Sequence, residues 1–178
     1  TTLKKLGFIP IVVHGGGKRI SKKLGELGIK SEFVNGLRVT NKETVDVVEK
    51  VLIEFNQEIV EALRNETCDS EVINSKQNNI ISVIKINQEL EFVGTPTEIN
   101  KVIIDRIVND KKVPVIAPLG LDESNQTYNI NADTAAGYIA KKIKARRLII
   151  MSDVEGVLDI NKKLIPEINS NSIKNLID

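Results

Sequence analysis

Apolar positions along the chain follow two rhythms. Three short runs are apolar almost throughout: Phe8-Ile9-Pro10-Ile11-Val12-Val13, Val113-Pro114-Val115-Ile116-Ala117-Pro118, and Leu148-Ile149-Ile150-Met151-Ser152 ahead of Asp153. Runs of this length without alternation suit strands buried on both faces of a parallel sheet. The prolines of the second run belong at its ends or at a bulge, because proline brings no N–H to a ladder. Elsewhere the period lengthens. Residues 3–7 read as the last turn of a helix closed by glycine, residues 18–27 as a helix ended by Gly28, and Val45, Val48, Leu52, Phe55, Ile59 and Leu63 recur at three- and four-residue steps. Thr40 and Glu43 make a capping-box pattern ahead of that long helix.

Turn chemistry fills the gaps. Asn35-Gly36 between Phe33-Val34 and Leu37-Arg38-Val39 is the strongest short-range hairpin signal. Residues 71–93 are dense in β-branched residues, with turns at Asn78-Asn79 and Asn87-Gln88, and predict two or three antiparallel strands ended by Gly94. Thr95-Pro96-Thr97-Glu98 carries the signals of a helix start, with Ile99, Val102, Ile103 and Ile107 along one face. Residues 134–144 predict an alanine-rich helix capped by Asn131 or Asp133. Beyond Gly156 the pattern offers a short hairpin, Val157-Leu158 with Lys163-Leu164-Ile165, and a helix from Ser170. Strands alternating with helices predict an α/β fold, a three-layer αβα sandwich with a mainly parallel central sheet.

Composition narrows the function classes. A chain of 178 residues, 41% hydrophobic and 28% charged, fits one domain that buries a sizeable core unaided. With 25 basic and 24 acidic residues the net charge is +1, which leaves no electrostatic footprint for nucleic acid or an anionic membrane. Cys68 is the single cysteine and His14 the single histidine, so an internal disulfide and a thiolate or histidine-rich zinc cage are excluded. A cytoplasmic, reducing setting is expected. The chain begins Thr1-Thr2-Leu3 without an initiator methionine.

In α/β sandwiches ligands gather beyond the carboxyl ends of the strands, and three segments fall there: His14-Gly15-Gly16-Gly17, residues 119–133, and Ser152-Asp153-Val154-Glu155-Gly156. A glycine triplet between strand and helix leaves backbone N–H groups uncovered at the positive end of a helix, which favours a phosphate or carboxylate. A tight turn also selects glycine. It is neither a dinucleotide fingerprint nor a Walker loop. Arg38 on the hairpin could grip a carboxylate with two prongs or stand exposed on a strand. Asp153 could face a nucleotide or its metal, or begin an ordinary turn.

Taken in order, His-Gly-Gly-Gly, Phe-Val-Asn-Gly-Leu-Arg-Val-Thr, Val-Pro-Val-Ile-Ala-Pro-Leu-Gly, Tyr-Asn-Ile-Asn-Ala-Asp-Thr-Ala-Ala-Gly and Ser-Asp-Val-Glu-Gly-Val-Leu-Asp resemble the acetylglutamate kinases of the amino-acid kinase family. The resemblance covers nearly the whole chain. It implies transfer of a phosphoryl group from ATP, with Mg²⁺, to the side-chain carboxylate of N-acetyl-L-glutamate, a step of arginine synthesis, in a homodimer or larger homo-oligomer. It also implies that Gly15 and Gly16 meet the acyl substrate and the transferring group, that Arg38 and Asn129 hold the substrate, and that Asp133 orients catalytic lysines. Ser152, Asp153, Val154, Glu155, Gly156 and Val157 match a stretch beside the nucleotide.

Three departures qualify this resemblance. The family's opening Lys-x-Gly-Gly strand and its second catalytic lysine have no match, so the chain is expected to be the greater part of such an enzyme, impaired when isolated. Losing one positioned donor costs about 3 kcal/mol, or roughly a hundredfold in rate. Ile73-Asn74-Ser75-Lys76-Gln77-Asn78-Asn79 stands where relatives carry Ser-Gly-Lys-Asp, which leaves Lys76 solvent-facing without an assigned role. Two other readings stay open: a non-catalytic acetylglutamate-binding module, and a kinase of this fold with another acceptor.

Overall fold

The structure is a computed structural model and describes residues 2–152 and 154–169. Contacts divide the chain into two units, Thr1–Leu148 and Ile149–Asp178.

The first unit is built on a parallel three-stranded sheet in the order β1 (Val12–Val13), β7 (Val113–Ile116), β4 (Ser70–Ile73). Alternation of side chains across the strands decides what each face packs. Val12, Val72, Val113 and Val115 cluster with Ile59, Val60 and Leu63 of α3 (Lys42–Asn65). Val13, Ile73 and Ile116 face the other way and join Ile104 and Ile107 of α4 (Lys101–Asn109), with Ala135 and Ile139 of α5 (Ala132–Ile143). This helix–sheet–helix layering is the expected αβα sandwich. Outside it, α2 (Gly17–Glu26) lays Ile20 and Leu24 on Val48, Val51 and Leu52 of α3, so the apolar stripe of the long helix is core. A second sheet, β6 (Gly94–Ile99), β5 (Ile81–Lys85), β8 (Leu119–Leu121), β9 (Thr127–Asn129), is mixed.

Several expectations hold in detail. The hairpin β2 (Phe33–Val34) and β3 (Leu37–Arg38) pairs Phe33 with Arg38, and both turn residues have positive φ, Asn35 at 49° and Gly36 at 78°. That is the pair of left-handed positions a two-residue hairpin needs. Val113 and Ala117 give their N–H groups to Asp69 and Ile73, so the imide nitrogen of Pro114 faces the β1 side, below the first β1 pair at Val12–Val115. A proline is tolerated there because no ladder bond is lost.

Others are corrected. Thr95-Pro96-Thr97-Glu98 is strand, not helix: it lies on edge strand β6, and Pro96 sits opposite Val83 at a register shift between Ser82 and Val83. An edge and a bulge are the two places a sheet accepts proline. The helix starts at Lys101 and buries Ile104 and Ile107; Ile99 stays in the strand, and Val102 is 75% exposed. Residues 71–93 divide between sheets, since β4 joins β7 in parallel and β5 pairs β6. The long helix is capped by Asn41, whose Oδ1 accepts from the Thr44 N–H at 2.8 Å. Thr40 stands one residue before the cap, and its hydroxyl turns instead to the Arg38 carbonyl and the Asn129 amide. Of the run from Phe8, Val12 and Val13 alone enter the ladder, and Phe8 and Ile9 are exposed.

In the second unit Leu158 bridges Leu164 in antiparallel fashion, with the Ile165 N–H on the Val157 carbonyl at 2.8 Å, as the pattern suggested. The apolar run before it is not a strand: Leu148, Ile149, Ile150 and Met151 are exposed. Apolar composition makes a strand only where a neighbouring edge takes up its N–H and C=O groups, and none among the described residues does. Asp153 and the helix expected from Ser170 lie outside the described residues.

Candidate functional site

The carboxyl ends of β1 and β7 open onto a pocket of about 190 Å³ whose lining includes Gly15, Gly16, Arg38, Leu52, Asn129 and Ala132. Segments far apart in sequence thus meet at one rim. The volume is below the roughly 300–1,000 Å³ of drug-sized ligand sites, which suits a small metabolite. Arg38 is the single charged residue in the lining, and no carboxylate belongs to it.

Gly16 is the N-cap of α2, so the first N–H groups of that helix point out of its end without intrahelical partners. Small size here is a packing demand: a Cβ on Gly16 would come 2.6 Å from Leu52 Cδ2, and Leu52 is 1% exposed. Next to the loop, His14 is 6% exposed. Its Nδ1 lies 2.9 Å from the Gly15 carbonyl and its Nε2 3.1 Å from Asn56 Nδ2. Burial lowers the imidazole pKa below 6.5; the Gly15 bond raises it and the Arg19 charge lowers it further, by lesser amounts. Below about pH 6.5 the unfolded chain therefore takes up a proton the native state resists. Stability contributed by neutral His14 is complete above pH 6.5 and declines on acidification toward the lower native value, by at most about 1.4 kcal/mol per pH unit. Urea midpoints taken downward from pH 7 should show this slope, and His14→Gln should remove it.

Arg38 is 6% exposed rather than standing out on its strand. Its guanidinium donates to Ser21 Oγ at 2.9 Å, to the Gly17 carbonyl at 3.2 Å and to Ser31 Oγ, and it lies 4.6 Å from the Phe33 ring centre. Among the described residues no carboxylate forms an ion pair with it. Burial pushes its pKa down, yet an arginine remains charged at neutral pH. Asn129 Nδ2 donates to Thr40 Oγ1 at 3.3 Å, and that hydroxyl donates to the Arg38 carbonyl at 2.8 Å, which connects the two pocket residues through Thr40. Residues 90–93 hold this arrangement together: Phe92 gives its N–H to the Thr40 carbonyl and receives the Asn129 N–H.

Behind β9, Glu49 of α3 accepts hydrogen bonds from Thr127 at 2.7 Å and Ser75 at 2.8 Å and pairs with Lys76 at 3.3 Å. Burial is the largest single influence on its carboxyl and would raise the pKa, but these three partners together outweigh it and hold the value below the ordinary one. Lys76 is exposed as expected, yet it takes part in this clasp. Glu49→Ala should cost about 1–3 kcal/mol, the penalty for leaving the buried Ser75 hydroxyl and the half-buried Thr127 hydroxyl without their acceptor, as read from urea unfolding at pH 7.

Asn131 caps α5 by accepting from the Thr134 N–H at 3.0 Å, so of the two expected capping residues it is the one used. Asp133 lies exposed in the first turn, outside the pocket lining. In the second unit Ser152, Val154, Glu155, Gly156 and Val157 are exposed, and their side chains do not by themselves enclose a nucleotide. Among the described residues no three His, Cys, Asp or Glu side chains come together to hold a metal ion. No described helix is long and apolar enough to cross a membrane.

Sequence reasoning did not single out Ser21, Ser31 or Asn56, and it read Thr40 as a helix cap rather than as part of the site. Their partners lie 17, 7, 42, and 2 or 89 positions away along the chain. Asn56, an amide on the buried stripe of an amphipathic helix, carried a visible signal for a role in the interior.

The model of the amino acid kinase family matches residues 1–178. The acetylglutamate kinase of Pelagibacter ubique (strain HTCC1062) is 65% identical over 176 residues, covering 99% of this chain and 61% of that protein. The acetylglutamate kinase of Rhodospirillum centenum is 42% identical over 190 residues, covering 99% and 62%. This chain therefore spans about three-fifths of the length of these relatives. Among solved structures, smu.665 from Streptococcus mutans UA159 superposes with a TM-score of 0.91 at 29% identity, covering 99% of this chain and 72% of that one. The N-acetylglutamate synthase of Neisseria gonorrhoeae shares the fold, with a TM-score of 0.73 at 15% identity. On a family match over its whole length, a 65% identical relative and the sandwich described above, the chain is a member of the amino acid kinase family.

Proposed function

We propose that this chain carries the acyl-substrate half of an acetylglutamate kinase and that its pocket binds N-acetyl-L-glutamate. In the whole enzyme the side-chain carboxylate of that ligand would take a phosphoryl group from ATP with Mg²⁺, in arginine biosynthesis. The observation that carries the reading is Arg38, a buried guanidinium without a carboxylate partner among the described residues, in a pocket with no acidic lining. A buried charge of this kind is costly unless paired, and a ligand carboxylate fits its planar fork. Asn129 would hold the same ligand. Gly15, Gly16 and the α2 N-terminus offer N–H donors for the second carboxylate and for charge developing on it. Asp133 would orient the catalytic lysines, and residues 152–157 would lie beside the nucleotide.

Ligand-dependent melting tests the acceptor. At a hundred times its dissociation constant a ligand adds about 2.7 kcal/mol, or roughly 5 to 10 °C for a chain of this size. N-acetyl-L-glutamate should give that shift. No shift with it, against a clear one with aspartate or uridylate, would refute the assignment.

A further inference from the structure

We propose that Asn56, on the buried side of α3, is a positioning residue for the glycine loop. By donating to His14 Nε2 it holds the imidazole as the neutral Nδ1–H tautomer, and that Nδ1–H pins the Gly15 carbonyl. The claim rests on the acetylglutamate reading only for the ligand used to test it.

Hydrogen-bond bookkeeping fixes the tautomer. Asn56 Nδ2 lies 3.1 Å from His14 Nε2 and 3.0 Å from the Val115 carbonyl. Turning the amide over would set Oδ1 against that carbonyl, acceptor to acceptor, so the NH₂ group faces both. His14 Nε2 must then accept, which leaves the proton on Nδ1, 2.9 Å from the Gly15 oxygen. Both imidazole contacts are satisfied in this state; the opposite tautomer would break both, and the imidazolium would oppose two donors at Nε2.

The consequence reaches the pocket through one planar peptide. The Gly15 carbonyl and the Gly16 N–H belong to the same trans unit and point in opposite directions. Pinning the oxygen on the His14 side therefore sets the direction of the Gly16 N–H, in a loop whose glycines would otherwise turn freely. Phe55 closes the ring edge-on at 5.2 Å, and the β7 backbone anchors Asn56 from below. Asn56 is itself fully buried, and its Oδ1 has no hydrogen-bond partner among the described residues. An apolar side chain of the same size would avoid that unsatisfied acceptor, so packing alone does not account for an amide here.

Because His14 is the single histidine, ¹⁵N spectra of the labelled chain report one imidazole without assignment. The wild type should show a neutral ring protonated at Nδ1 at pH 7. In Asn56→Leu the ring should shift toward the Nε2–H form, the Gly16 amide resonance should move, and N-acetyl-L-glutamate should bind about tenfold more weakly. The melting temperature of the free variant separates this from unfolding. An Nε2–H ring in the wild type overturns the proposal, and that measurement needs no variant. So does an Asn56→Leu variant that keeps both the tautomer and the Gly16 resonance. If N-acetyl-L-glutamate binds neither protein, the ligand assignment fails, while tautomer and amide still decide the role of Asn56.

Discussion

Arg38→Met should abolish the stabilisation given by N-acetyl-L-glutamate while leaving the unliganded chain close to its original melting temperature. Two effects combine to give this result. Hydrogen bonds to a charged partner are worth about 1.5–3 kcal/mol, so losing a two-pronged grip on a carboxylate weakens binding by about a hundredfold or more. In the free protein, the variant loses bonds to Ser21, Ser31 and the Gly17 carbonyl but also relieves a desolvated charge that no described carboxylate balances. Replacing a buried ionic group by an apolar one of similar volume is often close to neutral. Arg38→Lys should recover only part of the affinity, because an ammonium keeps the charge and loses the fork. A ligand-induced shift surviving in Arg38→Met would remove Arg38 from the site. A collapse of the free protein would mean instead that the guanidinium is mainly structural.

Gly120→Ala should be the most destabilising single-methyl change in the chain's second sheet. Gly120 lies in β8, between β5 and β9, where a Cβ would collide with Val83 Cγ1, come 2.9 Å from the Ile81 carbonyl oxygen and 3.1 Å from Ile130 Cδ1. Val83 and Ile130 are 3% and 2% exposed, so neither can swing aside into solvent. The backbone oxygen cannot move without shifting β5. Overpacking a filled core costs typically 1–3 kcal/mol, and a clash with main chain belongs at the upper end, about 3 kcal/mol. Gly137→Ala makes the matched control: it lies inside α5 with nothing within 4 Å of the added carbon. It should stabilise by about 0.5–1 kcal/mol through helix propensity. Thermal or urea unfolding of the two variants should move in opposite directions, and an unchanged Gly120→Ala would show that β5 and β8 are less tightly apposed than described.

Parts of the molecule were legible because their cause is local. Asn35-Gly36 specifies a tight hairpin through positive φ at two consecutive residues, which needs no distant partner. The α3 stripe follows from a three-and-four repeat, and strands β1 and β7 from runs that are apolar on both faces, whereas the parallel place of β4 beside β7 did not show in its own residues. Where the reading failed, a local signal met a non-local preference. Thr95-Pro96 carries a helix-start pattern, but an edge strand at a bulge accepts the same proline, and β5 was available to pair with it. Leu148 to Met151 has strand composition without a described edge to bond.

The candidate site divides along the same line. Residue order and type sufficed to name Gly15, Gly16, Arg38 and Asn129, and to give the α/β class in which they would share a rim. Only the tertiary structure decided that Arg38 is buried without a carboxylate partner among the described residues, that Thr40 joins it to Asn129, and that Asn56 stands behind His14. These are properties of groups brought together across tens of residues, set by which surfaces pack, and burial and hydrogen-bond partners do not exist until that packing is complete.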